Sequence, residues 1–114
     1  MTKEINKAPN VDVNLSNVEC VHIKARRWFQ RSYGNTYFSL SVDVEVDGKL
    51  IEVVNVPFEY GYGDHYDTVA LQQFKKAVNI DVALADYCYL SRSLKESGIK
   101  VYNHVSDVDR KKDL

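Results

Sequence analysis

Residues 37–48 carry the clearest structural pattern in the chain: Tyr37-Phe38-Ser39-Leu40-Ser41-Val42-Asp43-Val44-Glu45-Val46-Asp47-Gly48. From Phe38 to Val46 every second residue is apolar, and this period of two predicts a strand with one buried face. A shift by one residue would turn all of these apolar side chains toward water, so the register is strongly fixed. Asp47-Gly48 predicts that the strand ends in a two-residue hairpin.

Two further strands are predicted on either side of this one. Residues 20–26 alternate between polar and apolar, and Gly34-Asn35 favours a hairpin connection to the central strand. Residues 49–58 predict a third strand that is apolar on both faces. Such a strand has cover on both sides or contains a bulge, and Pro57 ends it or sits at a sheet edge.

Helical spacing replaces alternation after the third strand. The first predicted helix has an apolar stripe that consists of Tyr66, Ala70, Leu71, Phe74, Ala77 and Val78. A second helix is predicted over residues 82–97, with Gly98 as its stop. Its residues expected to face the core are Leu84, Cys88, Leu90, Ser91 and Leu94. Residues 99–105 alternate again and predict a fourth strand.

The connection between the third strand and the first helix contains two glycines. We expect Gly61 or Gly63, or both, to have a positive φ, because the chain must reverse within a few residues. We also expect Asp64 or Asp67 to cap the following helix. A tight structural connection is favoured here over a recognition loop.

These elements predict an α+β fold, with an antiparallel three- to four-stranded sheet and two helices packed on one face. The 114 residues suffice for one domain. Residues 18–106 are predicted to form it, residues 1–17 to be a tail or an edge strand, and residues 107–114 to be a charged, frayed tail.

Composition narrows the class of protein. The formal net charge of −1 supplies no global attraction to nucleic acid or to an anionic membrane. No apolar run has the length of a membrane span, and no apolar signal core follows Met1. Cys20 and Cys88 are the two cysteines of the sequence, which is too few for a disulfide framework in so short a chain. We therefore expect the protein to act in a reducing cytosol.

The candidate functional residues are aromatic and basic. His22, Lys24, Arg26 and Trp28 share one predicted strand face, which Tyr37 and Ser39 extend if the strands pair antiparallel. Cations interleaved with aromatic rings suit single-stranded nucleic acid; the alternative is a sheet face over which Lys and Arg stems lie. The predicted partner-binding set is Arg26, Arg27, Trp28, Arg31, Tyr33, Tyr37, Tyr60, Tyr62, Asp64 and His65.

No complete catalytic or metal-binding set is visible in the sequence. His65 lies beside Asp64 and Asp67, but neighbours in sequence seldom converge on one ion. Cys20 and His22 share a strand face, although buried structural thiols are commoner than reactive ones. We therefore predict no enzymatic activity, no metal and no cofactor.

The middle of the chain resembles a family of small, uncharacterised bacteriophage and prophage proteins. The resemblance rests on Arg26-Arg27-Trp28-Phe29, Tyr33-Gly34-Asn35-Thr36-Tyr37 and Val56-Pro57-Phe58, followed by Tyr60-Gly61-Tyr62-Gly63-Asp64 and Tyr66. It implies a phage protein that acts in the host bacterial cytoplasm, and small proteins of this kind often bind a host protein or blunt a defence system.

Two functions are therefore expected from the sequence. The first is a non-enzymatic accessory protein that binds a host or defence-system protein through its aromatic and basic surface. The alternative is single-stranded nucleic-acid binding by Lys24, Arg26, Trp28 and Tyr37, with Arg27 and Arg31. An exposed edge strand near residues 11–15 or 100–105 would also allow a strand-paired homodimer.

Overall fold

The computed structural model describes residues 13–114. Its elements in chain order are strands β1 (Cys20–Gln30), β2 (Asn35–Val46) and β3 (Lys49–Tyr60), helices α1 (His65–Ala77) and α2 (Leu90–Glu96), and strand β4 (Lys100–Val108). The strands form one sheet in the order β3-β2-β1-β4. Within the described residues, neither helix has the length and hydrophobicity that crossing a bilayer requires.

The alternating pattern of residues 37–48 produces the strand that it predicts. β2 pairs antiparallel with β1 on one side and with β3 on the other. Its apolar residues from Phe38 to Val44 are buried, together with Val21 and Ile23 of β1. Asp47 (φ 53°) and Gly48 (φ 75°) both have positive φ, which confirms the predicted hairpin turn.

The prediction of an α+β fold is confirmed, but the sheet is mixed rather than antiparallel. β4 pairs with β1 in parallel, with Cys20 opposite Lys100 and Trp28 opposite Val108. The chain leaves β3 at one edge of the sheet and enters β4 at the other after α1 and α2. A crossover of this length can deliver a strand in the same direction as its neighbour, which a short hairpin cannot do.

The second helix is much shorter than predicted. α2 begins at Leu90, and residues 81–89 are irregular instead of helical. Serine hydroxyls bond this irregular segment: Ala85 N donates to Ser97 Oγ at 2.8 Å and Tyr87 N donates to Ser93 Oγ at 3.3 Å. Those backbone groups therefore have partners without a helix.

The side chains predicted to face the core from this helix differ in their burial. Leu90 and Leu94 are fully buried in the core. Leu84 packs against it, Ser91 is half-buried, and Cys88 is exposed just before the helix. The spacing of the longer predicted helix placed Cys88 where that helix meets the core. This prediction is wrong, because Cys88 is exposed and lies before the helix begins.

The glycine prediction is confirmed at one of its two positions. Gly63 has a φ of 54°, whereas Gly61 does not have positive φ. Gly61 is buried, and a Cβ at this position would lie 2.4 Å from His65 Cδ2 and 3.0 Å from Phe38 Cε2. The first glycine thus allows close packing, and the second allows the turn.

The capping prediction is wrong for α1. Asp64 occupies its N-cap position without a side-chain hydrogen bond. Asp67 instead reaches across to the first turn of α2, where its Oδ1 accepts a hydrogen bond from Ser91 N at 3.0 Å and its Oδ2 accepts one from Ser91 Oγ. Asp67 is therefore a cap, but for the neighbouring helix.

Both described ends of the chain contact the domain. Val13 and Leu15 are buried in the core, and Asn14 forms an isolated bridge with Asn79 rather than joining the sheet. Residues 1–12 lie outside the described residues, so the predicted edge strand near residue 11 is covered only in part. At the other end, β4 includes Asp107 and Val108, and a 3-10 helix follows at Lys111–Asp113.

Candidate functional site

The two faces of the sheet differ in chemistry. On β1, Val21, Ile23 and Ala25 point to the core, so His22, Lys24, Arg26 and Trp28 point to the other side, which we call the outer face. The register places Trp28 directly opposite Tyr37 and Arg26 opposite Ser39. The predicted extension of this face by Tyr37 and Ser39 is therefore confirmed.

One end of the outer face carries an aromatic cluster, which consists of Trp28, Tyr37, Phe58, Tyr60 and Tyr62. Tyr37 is its centre: its ring stacks on Trp28 (5.8 Å between centroids) and on Phe58 (4.8 Å), and it meets Tyr60 edge-on (5.6 Å). Tyr60 in turn meets Tyr62 edge-on at 5.3 Å. Phe58, Tyr60 and Tyr62 are 44%, 50% and 49% exposed, so the cluster forms a continuous apolar surface open to solvent.

Irregular pairing between β2 and β3 brings two aromatic residues to Tyr37. The hairpin begins with Val46 opposite Lys49, and that register continued without change would place Phe58 opposite Tyr37. Two register shifts insert two residues into β3, so Tyr60 becomes the partner instead. Because two is an even number, both Phe58 and Tyr60 remain on the outer face.

The loop that leaves β3 is tied to the β1–β2 turn through Tyr62. Its hydroxyl donates to Gly34 O at 3.2 Å and also lies 3.3 Å from Asn35 Oδ1. Tyr60 donates to Tyr62 Oη at 2.9 Å, and this hydrogen bond is the main reason why the pKa of Tyr60 is raised. The two tyrosines therefore hold each other in place, with their rings exposed.

The cations near the cluster already have partners within the protein. Lys24 Nζ lies 2.8 Å from Asp43 Oδ2, and Arg26 Nη1 donates to Asp113 O at 3.1 Å. Arg27 points to the opposite face, where its guanidinium bonds Asp107 Oδ1 (2.9 Å) and Gly63 O (3.1 Å). Lys111 Nζ lies 5.0 Å from the centroid of the Phe58 ring, so the C-terminal 3-10 helix reaches the cluster.

The remaining predicted site residues lie around the cluster rather than in it. Arg31 and Tyr33 are exposed in the β1–β2 turn, where Tyr33 is 76% exposed. Asp64 and His65 are exposed at the start of α1, and the His65 ring packs edge-on against the core residue Phe38 at 6.2 Å. The structure thus brings together Trp28, Tyr37, Tyr60 and Tyr62 and adds Phe58.

A groove of about 790 Å³ continues the outer face beside the cluster. Its polar lining comes from all four strands and includes Lys24, Arg26, Ser39, Ser41, Asn55, His104 and Ser106. Pro57 and Leu114 also line it, so the end of the described chain borders the groove. This size is within the range of sites that hold a small molecule or a few side chains of a partner.

The other end of the outer face holds a cluster of titratable groups. Cys20 Sγ lies 3.5 Å from His22 Nε2 and donates to Glu45 Oε1 at 3.2 Å. Burial and the hydrogen bond to Glu45 raise the pKa of the Cys20 thiol, so it is not an activated nucleophile. The His22 ring stacks on Tyr102 at 4.9 Å. Asp67, by contrast, is bonded to Ser91 and does not join His65 in a metal site.

Sequence reasoning missed Phe58 and Glu45. Phe58 was identifiable in principle, because the hairpin at residues 47–48 alone would have aligned it with Tyr37. Glu45 was identifiable as well, because a turn that pairs Gln30 with Asn35 necessarily pairs Cys20 with Glu45. The bulges in β3 have no comparable sequence pattern.

Comparison with protein-family models, curated proteins and solved structures found no match to this chain.

Proposed function

We propose that the protein is a non-enzymatic binding protein that engages a protein partner through the aromatic cluster. The observation that carries this proposal is the half-exposed row formed by Phe58, Tyr60 and Tyr62 beside the Trp28–Tyr37 stack. Trp, Tyr and Arg are the residues that most often carry binding energy at protein interfaces. Rings that already pack on one another lose little conformational entropy when a partner covers them.

The partner is proposed from the resemblance described above. That resemblance implies a phage protein that acts in the host bacterial cytoplasm, and the partner we propose is a host protein or a component of a host defence system. The outer face offers such a partner an apolar centre in the aromatic cluster and a polar rim along the groove, which is the usual anatomy of a protein interface.

The second candidate function is single-stranded nucleic-acid binding by the same face. Its supporting observation is that Lys24, Arg26, Trp28 and Tyr37 share one side of the sheet. Two observations favour the protein partner instead. Lys24 is paired with Asp43, and Arg27 lies on the opposite face in an ion pair with Asp107, which leaves fewer cations for phosphate. The facing sides of Trp28, Tyr37 and Phe58 also stack on one another, so bases cannot insert between them.

The test is a capture experiment from bacterial lysate, with and without nuclease, that compares the wild type with Tyr60→Ala and Trp28→Ala. Once a captured protein is identified, both variants should lose at least about 2 kcal/mol of affinity for it while their melting temperatures stay near that of the wild type. The matched control is Phe29→Ala, because Phe29 is an exposed aromatic residue (54%) next to Trp28 but on the opposite face.

Three outcomes distinguish the candidates. Equal losses for Phe29→Ala and Tyr60→Ala would overturn the assignment of the interface to the aromatic cluster. A large fall in the melting temperature of Trp28→Ala would make Trp28 a structural residue. Fluorescence polarisation with labelled single-stranded oligonucleotides at low salt tests the second candidate, which requires binding that weakens steeply with added salt.

A further inference from the structure

We propose that Cys20, His22 and Glu45 form a zinc-binding site at the end of the outer face away from the aromatic cluster. The ligand atoms of these three side chains all lie within 4.8 Å of one another, and no other such group is found among the described residues 13–114. The site is separate from the proposed protein-binding surface and does not depend on it.

The distances between the ligand atoms fit a tetrahedral zinc ion. With Zn–S near 2.3 Å and Zn–N or Zn–O near 2.0–2.2 Å, tetrahedral angles place two ligand atoms about 3.5 Å apart. The Cys20 Sγ–His22 Nε2 distance is 3.5 Å, and the Cys20 Sγ–Glu45 Oε1 distance is 3.2 Å. The third pair of ligand atoms, on His22 and Glu45, lies within 4.8 Å, so any remaining gap to a tetrahedral site closes when these two side chains approach each other.

Two central, paired strands of the sheet present these ligands. Cys20 and His22 are two residues apart on β1 and therefore share a face, and Glu45 is the direct cross-strand partner of Cys20 on β2. The His22 ring is held by stacking on Tyr102 of β4. Ligands on paired strands in the middle of a sheet need little rearrangement to bind an ion.

The ligand types favour zinc over the hard cations. A thiolate, an imidazole and a carboxylate form a set that suits Zn²⁺, whereas Mg²⁺ and Ca²⁺ prefer oxygen ligands alone. Three protein ligands leave a fourth position for water or for an atom of a bound partner. Cys20 is buried, while His22 and Glu45 are half-buried, so this position can open toward solvent.

Charge balance at the site is also favourable. In the metal-free protein the Cys20 thiol donates a hydrogen bond to Glu45 Oε1. Zinc binding breaks the S–H bond, forms a Zn–S bond and releases the proton to solvent. The thiolate and the Glu45 carboxylate then neutralise the two positive charges of the ion. Glu19 adds a further negative charge nearby, and the Lys100 ammonium adds a positive one.

The experiment uses the full chain after treatment with a chelator. Titration with Zn²⁺ in a calorimeter should show binding of one equivalent, and Co²⁺ in place of Zn²⁺ should give the near-ultraviolet absorption of a thiolate-to-cobalt charge transfer. Cys20→Ser should abolish that absorption. Glu45→Gln should weaken zinc binding by at least about tenfold, since even groups that only orient a ligand contribute that much.

The matched control is Cys88→Ser, because Cys88 is the other cysteine of the chain and is exposed. It should bind one equivalent of Zn²⁺ with wild-type affinity and keep the Co²⁺ absorption. Absence of zinc binding by the wild type would overturn the proposal, as would loss of binding in Cys88→Ser with retention in Cys20→Ser. If Cys20→Ser fails to fold by circular dichroism, His22→Ala, at a half-buried position, should instead weaken zinc binding in the same titration by at least about tenfold, and unchanged affinity would overturn the proposal.

Discussion

Asp67 shows how one residue acquires a role that its sequence position does not reveal. It lies in the first turn of α1, where sequence reasoning makes it a cap for that helix. Asp67 is only 4% exposed, and its carboxylate bonds Ser91 in the first turn of α2. Local sequence indicates that an aspartate can cap a helix, but tertiary packing decides which helix it caps.

Replacement of Asp67 is expected to destabilise the domain. Asp67→Ala removes the acceptor of Ser91 N and leaves that N–H without its cap, at a cost of about 2 kcal/mol in the free energy of unfolding. Chemical denaturation measures this difference. Asp64→Ala is the control, because Asp64 is exposed and makes no side-chain cap, so its effect should stay within about 0.5 kcal/mol. The opposite ranking of the two variants would restore the capping role to Asp64.

A side chain at Gly61 is expected to destabilise the domain by overpacking. In Gly61→Ala the new Cβ would meet His65 Cδ2 at 2.4 Å and Phe38 Cε2 at 3.0 Å, so the ring of His65 must move away from Phe38. Overpacking of this kind costs about 1–3 kcal/mol in the free energy of unfolding. The double variant Gly61→Ala/His65→Ala should recover part of that loss in the same denaturation experiment. Additive losses would show that His65 is not the obstacle.

At the scale of elements, the sequence predicts what is local and misses what depends on distant partners. Alternation alone predicts β1 and β2, and Asp47-Gly48 predicts the β2–β3 hairpin, because each pattern reflects neighbouring residues. The direction of β4 depends on the path of the chain through residues 61–99, which no local pattern encodes. Residues 82–89 have helical spacing, yet Ser93 and Ser97 bond their backbone and hold them in an irregular path.

The buried Tyr66, between α1 and β4, is expected to make the free energy of unfolding fall at alkaline pH. Tyr66 is 2% exposed and donates to Asn103 Oδ1 at 3.0 Å, and its burial raises its pKa above the ordinary 10.0. Unfolded chains lose the tyrosine proton near pH 10 while the folded protein keeps it. The stabilising contribution is therefore complete below pH 10 and is lost as pH rises toward the folded pKa.

Tyr66→Phe should flatten this alkaline decline. The variant loses about 1 kcal/mol at neutral pH with the hydrogen bond to Asn103, and its free energy of unfolding should then fall less steeply above pH 10 than that of the wild type. Some decline remains, because Cys20 and Lys100 also have raised pKa values. Tyr33→Phe is the control at a residue that is 76% exposed, and it should keep the wild-type slope. Identical slopes for all three proteins would exclude Tyr66 as the cause.

At the scale of the whole molecule, the outer face carries the aromatic cluster at one end and Cys20, His22 and Glu45 at the other. The sequence predicts only part of each group. The pairing of Trp28 with Tyr37 follows from alternation and a short turn. The addition of Phe58 and Tyr60 depends on bulges in β3, and the Lys111–Phe58 contact depends on the path of the C-terminal residues. Residues far apart in the chain meet on this face through the tertiary fold alone.

The two edges of the sheet are not equally protected against pairing with another chain. β3 contains Pro57, which has no N–H group, and its pairing with β2 has two register shifts, which bend a strand and make its free edge less regular. β4 has no proline and pairs with β1 in unbroken register from Lys100 to Val108. Its unpaired edge is therefore a regular row of donors and acceptors. Tyr102 and Val105 on this strand are 38% and 39% exposed.

We therefore expect the protein to form a homodimer through β4 as its concentration rises, as anticipated for residues 100–105. Light scattering coupled to size-exclusion chromatography measures the mass across a concentration series. Val105→Lys places a charge on the edge that must pair and should keep the protein monomeric. Leu50→Lys makes the same change at a more exposed residue (61%) on β3 and should leave the dimer intact. A dimer that survives Val105→Lys but not Leu50→Lys would place the interface on β3, where Pro57 and the bulges would have to be accommodated.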